Sequence, residues 1–189
     1  MEILQRFLEY NQRRKRVNEF EKETEIKFVV DQDILNKISS IDLKPYEEID
    51  EYFTTKEMLN NYTFLRIRRK KDKIILQLKD VIVGGEQTGD VYESDEVHME
   101  LDKEMYEKIK KILSSTFPYS FVVKKIRKKG KLNECEICLD EVEELGLFLE
   151  IEGPKEKILE ICKKLDLDLK KRDAERGYAI MMAKKVGLL

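Results

Sequence analysis

The sequence predicts an α+β fold, a closed barrel of eight strands built from two successive β-α-β-β-β units with helices packed against its outside. Three observations predict it. Eight segments have strand length and patterning, their order around an intervening helix occurs twice, and six of them segregate charge to one face.

The elements follow in order. Residues 22–30 alternate as a strand, after which Asp31 or Asp33 can cap a short helix carrying Ile34, Leu35 and Ile38. Strand-like stretches follow near 47–53, 61–70 and 73–80. Lys70-Lys71-Asp72 forms the turn between the last two, and Gly84, Gly85 and Gly89 mark a long loop. The second unit opens with a strand over 91–101. Asp102 then caps a helix in which Met105, Ile109, Ile112 and Leu113 recur with the helical period. Strands near 120–128, 131–140 and 145–152 complete it, with turns expected at Lys129-Gly130 and ending at Gly146. Two helices come last. Pro154 suits a first-turn position ahead of Ile158, Leu159 and Cys162, and Asp173 can cap a helix with Ala174, Tyr178 and Met181. Residues 1–20 read as an N-terminal helical extension to a domain spanning 21–189. Its Arg13-Arg14-Lys15-Arg16 run reads as a solvated helix face in preference to a site for a phosphate polymer.

Composition excludes several functions. Of 189 residues, 39 are acidic and 37 basic, and a net charge of -2 gives no global attraction for nucleic acid or for an anionic membrane. No apolar run approaches the roughly 18 to 20 residues that cross a bilayer. Three cysteines, an odd number, and an N-terminal segment unlike an apolar signal peptide lead to an expected cytoplasmic location. Cys135 and Cys138 sit three apart on a strand, so they face opposite sides and cannot chelate one ion together. His98 is the only histidine, which leaves neither a histidine-rich zinc site nor a Ser-His-Asp triad.

The informative signal is the parity of charge within strands, because residues two apart share a face. Glu23, Glu25 and Lys27 oppose Ile26 and Phe28. Arg66 and Arg68 oppose Leu65 and Ile67, and Gln77 and Lys79 oppose Leu76 and Leu78. In the second unit Lys125 and Arg127 oppose Ile126, Glu136 and Asp140 oppose Ile137 and Leu139, and Glu150 and Glu152 oppose Leu149 and Ile151. One such strand is an ordinary half-solvated strand. Six together predict a closed sheet whose apolar faces pack outward against helices and whose charged faces line a wet bore.

That bore would hold Lys27, Arg66, Arg68, Lys79, Lys125 and Arg127 against Glu23, Glu25, Glu136, Asp140, Glu150 and Glu152. Clustered carboxylates supply the hard oxygen ligands that Mg²⁺ or Mn²⁺ prefers, and clustered Arg and Lys suit a polyanion such as a triphosphate. Metal and polyanion answer each other's charge, which accounts for the mixed signs.

These residues resemble the CYTH superfamily, the class IV adenylyl cyclases and thiamine triphosphatases also called triphosphate tunnel metalloenzymes. The resemblance rests on Glu23-Thr24-Glu25-Ile26-Lys27, Leu65-Arg66-Ile67-Arg68, Leu76-Gln77-Leu78-Lys79, Lys125-x-Arg127, Asp140, and Leu145-Gly146-x-Phe148-x-Glu150-x-Glu152, and it spans about residues 22 to 183. It implies an antiparallel tunnel in which Glu23, Glu25, Glu136, Asp140, Glu150 and Glu152 hold Mg²⁺ or Mn²⁺. Lys27, Arg66, Arg68, Lys79, Lys125 and Arg127 would hold the triphosphate, with Asp140 and Lys27 as the catalytic candidates.

The class IV cyclases look closest, which implies conversion of ATP to cyclic AMP and pyrophosphate. The alternatives are a triphosphatase acting on a nucleoside triphosphate, thiamine triphosphate or tripolyphosphate, and a non-catalytic polyphosphate-binding module. Residues Val91 to Glu96 lack the Arg-x-Glu-x-Glu pattern of a close cyclase relative, which keeps the substrate open. The partner expected is thus a small-molecule triphosphate, with no membrane or nucleic acid and at most a second copy of the chain in a homodimer.

Overall fold

The computed structural model describes residues 21–81, 91–172 and 177–189. The expected extension at 1–20, Gly84, Gly85 and Gly89, and the Asp173 cap with Ala174 lie outside the described residues.

Eight strands form: β1 (Glu21–Val29), β2 (Lys44–Thr54), β3 (Thr63–Lys70), β4 (Lys73–Val81), β5 (Tyr92–Leu101), β6 (Tyr119–Leu132), β7 (Cys135–Val142) and β8 (Gly146–Glu152). They close in the order β1-β5-β4-β3-β2-β6-β7-β8. Every pairing is antiparallel. Two meanders, β2 to β5 and β6 to β8, are therefore joined by β2 against β6 and by β1 between β5 and β8.

Helix α1 (Gln32–Ile38) begins where Asp31 accepts from the Ile34 amide at 2.9 Å. Helix α3 (Lys103–Thr116) begins where Asp102 accepts from Met105 at 2.8 Å. Both caps match the expectation. Between them, α2 (Lys56–Asn60) was not anticipated, so the first unit is β-α-β-α-β-β. Thr55 caps it and only Leu59 is buried, which leaves no apolar period for a sequence to display. Helices α4 (Lys155–Lys164), directly after Pro154, and α5 (Tyr178–Lys185) complete the set, with a 3₁₀ turn at Leu169–Lys171 between them.

Two local expectations change. Lys129-Gly130 is not a turn, because β6 runs on to Leu132 and the chain reverses at Asn133, whose φ is 54°. Gly130 serves a close approach instead: a Cβ there would lie 2.4 Å from the Asp42 carbonyl oxygen. The apolar period of α3 marks a helix but not a buried one. None of its residues is buried, and Ile112 is 62 % exposed. Polar contacts dock it, Tyr106 donating to Glu51 on the outer face of β2 at 2.8 Å.

The strands pack apolar side outward where helices cover them. Ile26, Phe28, Ile137, Leu149 and Ile151 of β1, β7 and β8 meet Ile34 and Ile38 of α1 and Ile158, Ile161 and Cys162 of α4. Each such side chain contributes about 1.5–3 kcal/mol on full burial. A second apolar cluster lies at one end of the barrel, where Tyr52, Phe64, Val123, Val142 and Phe148 pack under Tyr178, Ala179, Ile180 and Met182 of α5. Among the described residues, no helix is long and apolar enough to cross a membrane.

Candidate functional site

Closure turns the charged faces inward and cross-strand register then opposes charge to charge. Lys27 lies beside Glu150, Glu48 beside Lys125, Asp50 beside Arg68, Lys79 beside Glu96 and Arg127 beside Asp140. All six cations and six carboxylates singled out in the sequence stand on this inner face. Lys27, Arg66, Lys79, Lys125, Glu25 and Glu150 line the space toward α5. Glu136 and Glu152 line the opposite end, while Glu23, Arg68 and Arg127 border both spaces. Asp140 is fully buried.

The basic side is a network of fixed pairs. Arg68 donates from Nε and Nη2 to Asp50 at 2.7 and 2.9 Å. Arg66 donates to Gln77 at 2.8 Å and to the Tyr52 hydroxyl at 2.9 Å, with Asp50 at 3.4 Å. Lys125 stands 3.4 Å from Asp50. Arg127 grips Asp140 with two hydrogen bonds of 2.7 and 2.6 Å and reaches Glu150 at 2.9 Å. Bidentate pairs of this kind fix the guanidinium plane as well as its charge. Burial would raise the Asp50 pKa, but Arg68, Arg66 and Lys125 hold it well below the usual carboxylate range. Burial depresses the Lys125 ammonium, with Asp50 and Glu48 only partly restoring it.

Tyr178 ties α5 into this network. Its hydroxyl donates to Asp140 at 2.8 Å, and the Lys27 and Lys125 ammoniums lie 4.5 and 5.2 Å from its ring centroid.

The acidic side is neutralised less completely. Lys79 contacts Glu23 directly, Glu96 at 3.1 Å and Glu25 at 3.6 Å, and Lys27 reaches Glu150 at 3.0 Å and Glu25 at 3.7 Å. Glu136 meets Lys129 at the barrel end. Among the described residues, no cation contacts Glu152. Burial, followed by repulsion from Glu23, Glu136, Glu150 and Glu25, pushes its carboxyl up to about 7.

Sequence reasoning missed Glu48, Asp50 and Glu96, which are buried inside the barrel. The alternation of Glu48, Asp50 and Tyr52 on β2 was readable in principle. Glu47 and Glu51 put acid on the opposite face as well and erased the contrast between faces. Glu96 was obscured the same way by Glu93 and Asp95. As expected, Cys135 faces the outer apolar core, whereas the Cys138 thiol, pushed up by burial, sits within reach of Arg127 and Glu150.

A barrel with this charged lining is the setting for the decisive comparison, a match of the CYTH domain model to residues 21–178. The chain belongs to the CYTH domain family. No curated protein matches it. Among solved structures, the PH1012 protein of Pyrococcus horikoshii OT3 is 27 % identical, with a TM-score of 0.64 over 84 % of this chain and 98 % of that one. A candidate adenylate cyclase of Vibrio parahaemolyticus is 18 % identical, with a TM-score of 0.63 over 87 % and 100 %. HpAC1 of Hippeastrum, a candidate adenylyl cyclase described with a dominant triphosphatase activity, is 15 % identical, with a TM-score of 0.61 over 89 % and 97 %. The last two share the fold with this CYTH domain.

The donor set of this CYTH domain fits a divalent cation. Its acidic side offers only carboxylate oxygens, the hard ligands such ions take. Glu152 is raised by burial and then by its carboxylate neighbours and meets no cation among the described residues, surroundings that favour a dication. Among the described residues, no three carboxylates converge as a ligand set, and Lys79 and Lys27 contact Glu23 and Glu150.

Proposed function

We propose that this CYTH domain binds a triphosphate compound together with Mg²⁺ or Mn²⁺ and breaks one of its phosphoanhydride bonds. One observation carries the reading: a pre-paired basic wall faces an under-neutralised acidic wall inside a single closed barrel. Glu23, Glu25, Glu150 and Glu152 would hold the cation, with Glu136 at the barrel end as a further donor. The ion supplies Lewis-acid polarisation of phosphate oxygens and neutralises their charge.

The chain's own residues do the rest. Arg66, Arg68, Lys125 and Arg127 bind phosphate oxygens and stabilise charge on the departing group, in orientations fixed beforehand by Asp50, Gln77 and Asp140. Lys27 and Lys79 stand between the walls, able to exchange a carboxylate contact for a phosphate one. Burial would depress both ammoniums, but Glu150 and Glu25 around Lys27, and Glu25 and Glu23 around Lys79, hold them above their ordinary value, so both stay charged. Lys27 therefore acts as an electrostatic group. Asp140 acts as an orienting group, since Arg127 and Tyr178 engage both its oxygens.

Two nucleophiles fit this framework. Water attacking the γ-phosphorus releases orthophosphate, whereas a ribose 3'-hydroxyl attacking the α-phosphorus releases pyrophosphate and closes cyclic AMP. With Asp140 engaged by Arg127 and Tyr178, either nucleophile gives its proton to another group. The class IV resemblance of Leu145 to Glu152 favours the cyclase, with the triphosphatase as the second reading.

Product analysis with ATP, thiamine triphosphate and tripolyphosphate in Mg²⁺ or Mn²⁺ decides between them. Orthophosphate without cyclic AMP establishes the triphosphatase, and cyclic AMP with pyrophosphate establishes the cyclase. Tight metal-dependent binding without any turnover removes the enzymatic reading and leaves a polyphosphate-binding module.

A further inference from the structure

Glu48 differs from the other carboxylates of the basic wall. Its side chain is 1 % exposed and three cations surround it: Arg68 Nε in direct contact, Lys125 Nζ at 3.6 Å and Arg127 Nε at 3.9 Å. Yet neither of its oxygens takes part in a well-formed hydrogen bond. Nε and one terminal nitrogen of Arg68 donate to Asp50, and the same two atoms of Arg127 donate to Asp140 and Glu150. Burial alone would raise its pKa, but Lys125, Arg68 and Arg127 outweigh burial and keep it ionised. Glu48 is therefore an anion held by charge and not by donor geometry. It borders the space shared by Arg68, Arg127, Tyr46 and Lys129 at the end away from α5.

We propose that Glu48 is an internal stand-in for a phosphoryl group, neutralising Arg68, Lys125 and Arg127 in the free tunnel and giving up those cations to the incoming triphosphate. The inference rests on the reading that the tunnel takes a triphosphate, and it adds the residue that sets how strongly binding depends on metal. An anion already seated among the cations competes with the ligand for them. It also repels the ligand at short range, where the protein screens charge poorly. A divalent cation offsets that repulsion. Asp50 is not equivalent, because its two hydrogen bonds hold the Arg68 guanidinium in place and its loss would misplace a binding group.

The test is calorimetric titration of tripolyphosphate into the whole chain and into Glu48→Gln, in EDTA and in Mg²⁺, with circular dichroism as the folding check. Glu48→Gln should tighten binding in EDTA by about tenfold or more and shrink the gain that Mg²⁺ gives. Folded Glu48→Gln with unchanged or weaker affinity in EDTA overturns the inference. The triphosphate reading then survives if the unaltered chain still binds tripolyphosphate in Mg²⁺. No binding by the unaltered chain in either condition overturns both. If Glu48→Gln does not fold, Glu48→Asp keeps the charge and withdraws it by one methylene. It should give a smaller gain in EDTA, and affinity no better than that of the unaltered chain counts against the proposal.

Discussion

The two walls of the tunnel carry similar residue types in opposite electrostatic states. On β2, β3 and β6 buried cations meet carboxylates directly across the ladder, as in Arg68 with Asp50 and Lys125 with Glu48. Arg127 has its partner in Asp140 on the neighbouring β7. On β1 and β8, Glu23, Glu25 and Glu150 share Lys27 of β1 and Lys79 of β4, with Arg127 also reaching Glu150, and Glu152 meets no cation among the described residues. The difference teaches that a buried charge becomes a rigid framework when its partner lies directly across the ladder. Where like charges adjoin instead, an unmet demand for a counter-ion remains.

Three experiments would break or sharpen this contrast. The largest effect is expected from the acidic wall. Glu23→Gln with Glu25→Gln should lower metal-dependent triphosphate turnover by about 10³-fold while moving the melting temperature by only a few degrees, because these side chains serve the ion more than the fold. Turnover within a factor of a few of the unaltered chain would place the ion elsewhere.

The basic wall should respond in stability. Asp50→Asn removes the charge that answers Arg66, Arg68 and Lys125 and leaves buried cations uncompensated, at a cost of about 3–5 kcal/mol in urea unfolding. A loss below about 1 kcal/mol, the size of a surface pair, would show that the wall is not held by these contacts.

The smallest effect concerns pH. The Glu152 carboxyl is raised to about 7 in the folded chain, so between its ordinary value near 4.5 and about 7 the folded state binds more protons than the unfolded one. Its contribution in EDTA therefore lowers stability as pH rises through that window and levels off above it. Unfolding in urea at several pH values should show Glu152→Gln lacking this fall. A parallel decline in both proteins would assign it to other groups.

Much of this could be read from the residues alone. The parity of Glu23, Glu25 and Lys27, of Arg66 and Arg68, and of Glu150 and Glu152 gave both the bore and its contents, because alternation along a strand is local. Asp31 and Asp102 marked helix starts for the same reason. Helix α2 was too short to show a period, and the exposure of Ile112 depended on what packs beside α3. Glu48 and Asp50 were hidden by the acids on either side of them.

The sequence by itself determined which side chains share a face and that the apolar faces need covering. Only the tertiary structure decided which charges meet. That depends on closure and register, which bring Lys125 to Asp50 across 75 residues of chain and Lys79 to Glu23 across 56. Hydrophobic alternation selects the face a residue occupies, but it cannot choose the partner across the ladder. That choice is what pairs the basic wall and leaves Glu152 without a cation among the described residues.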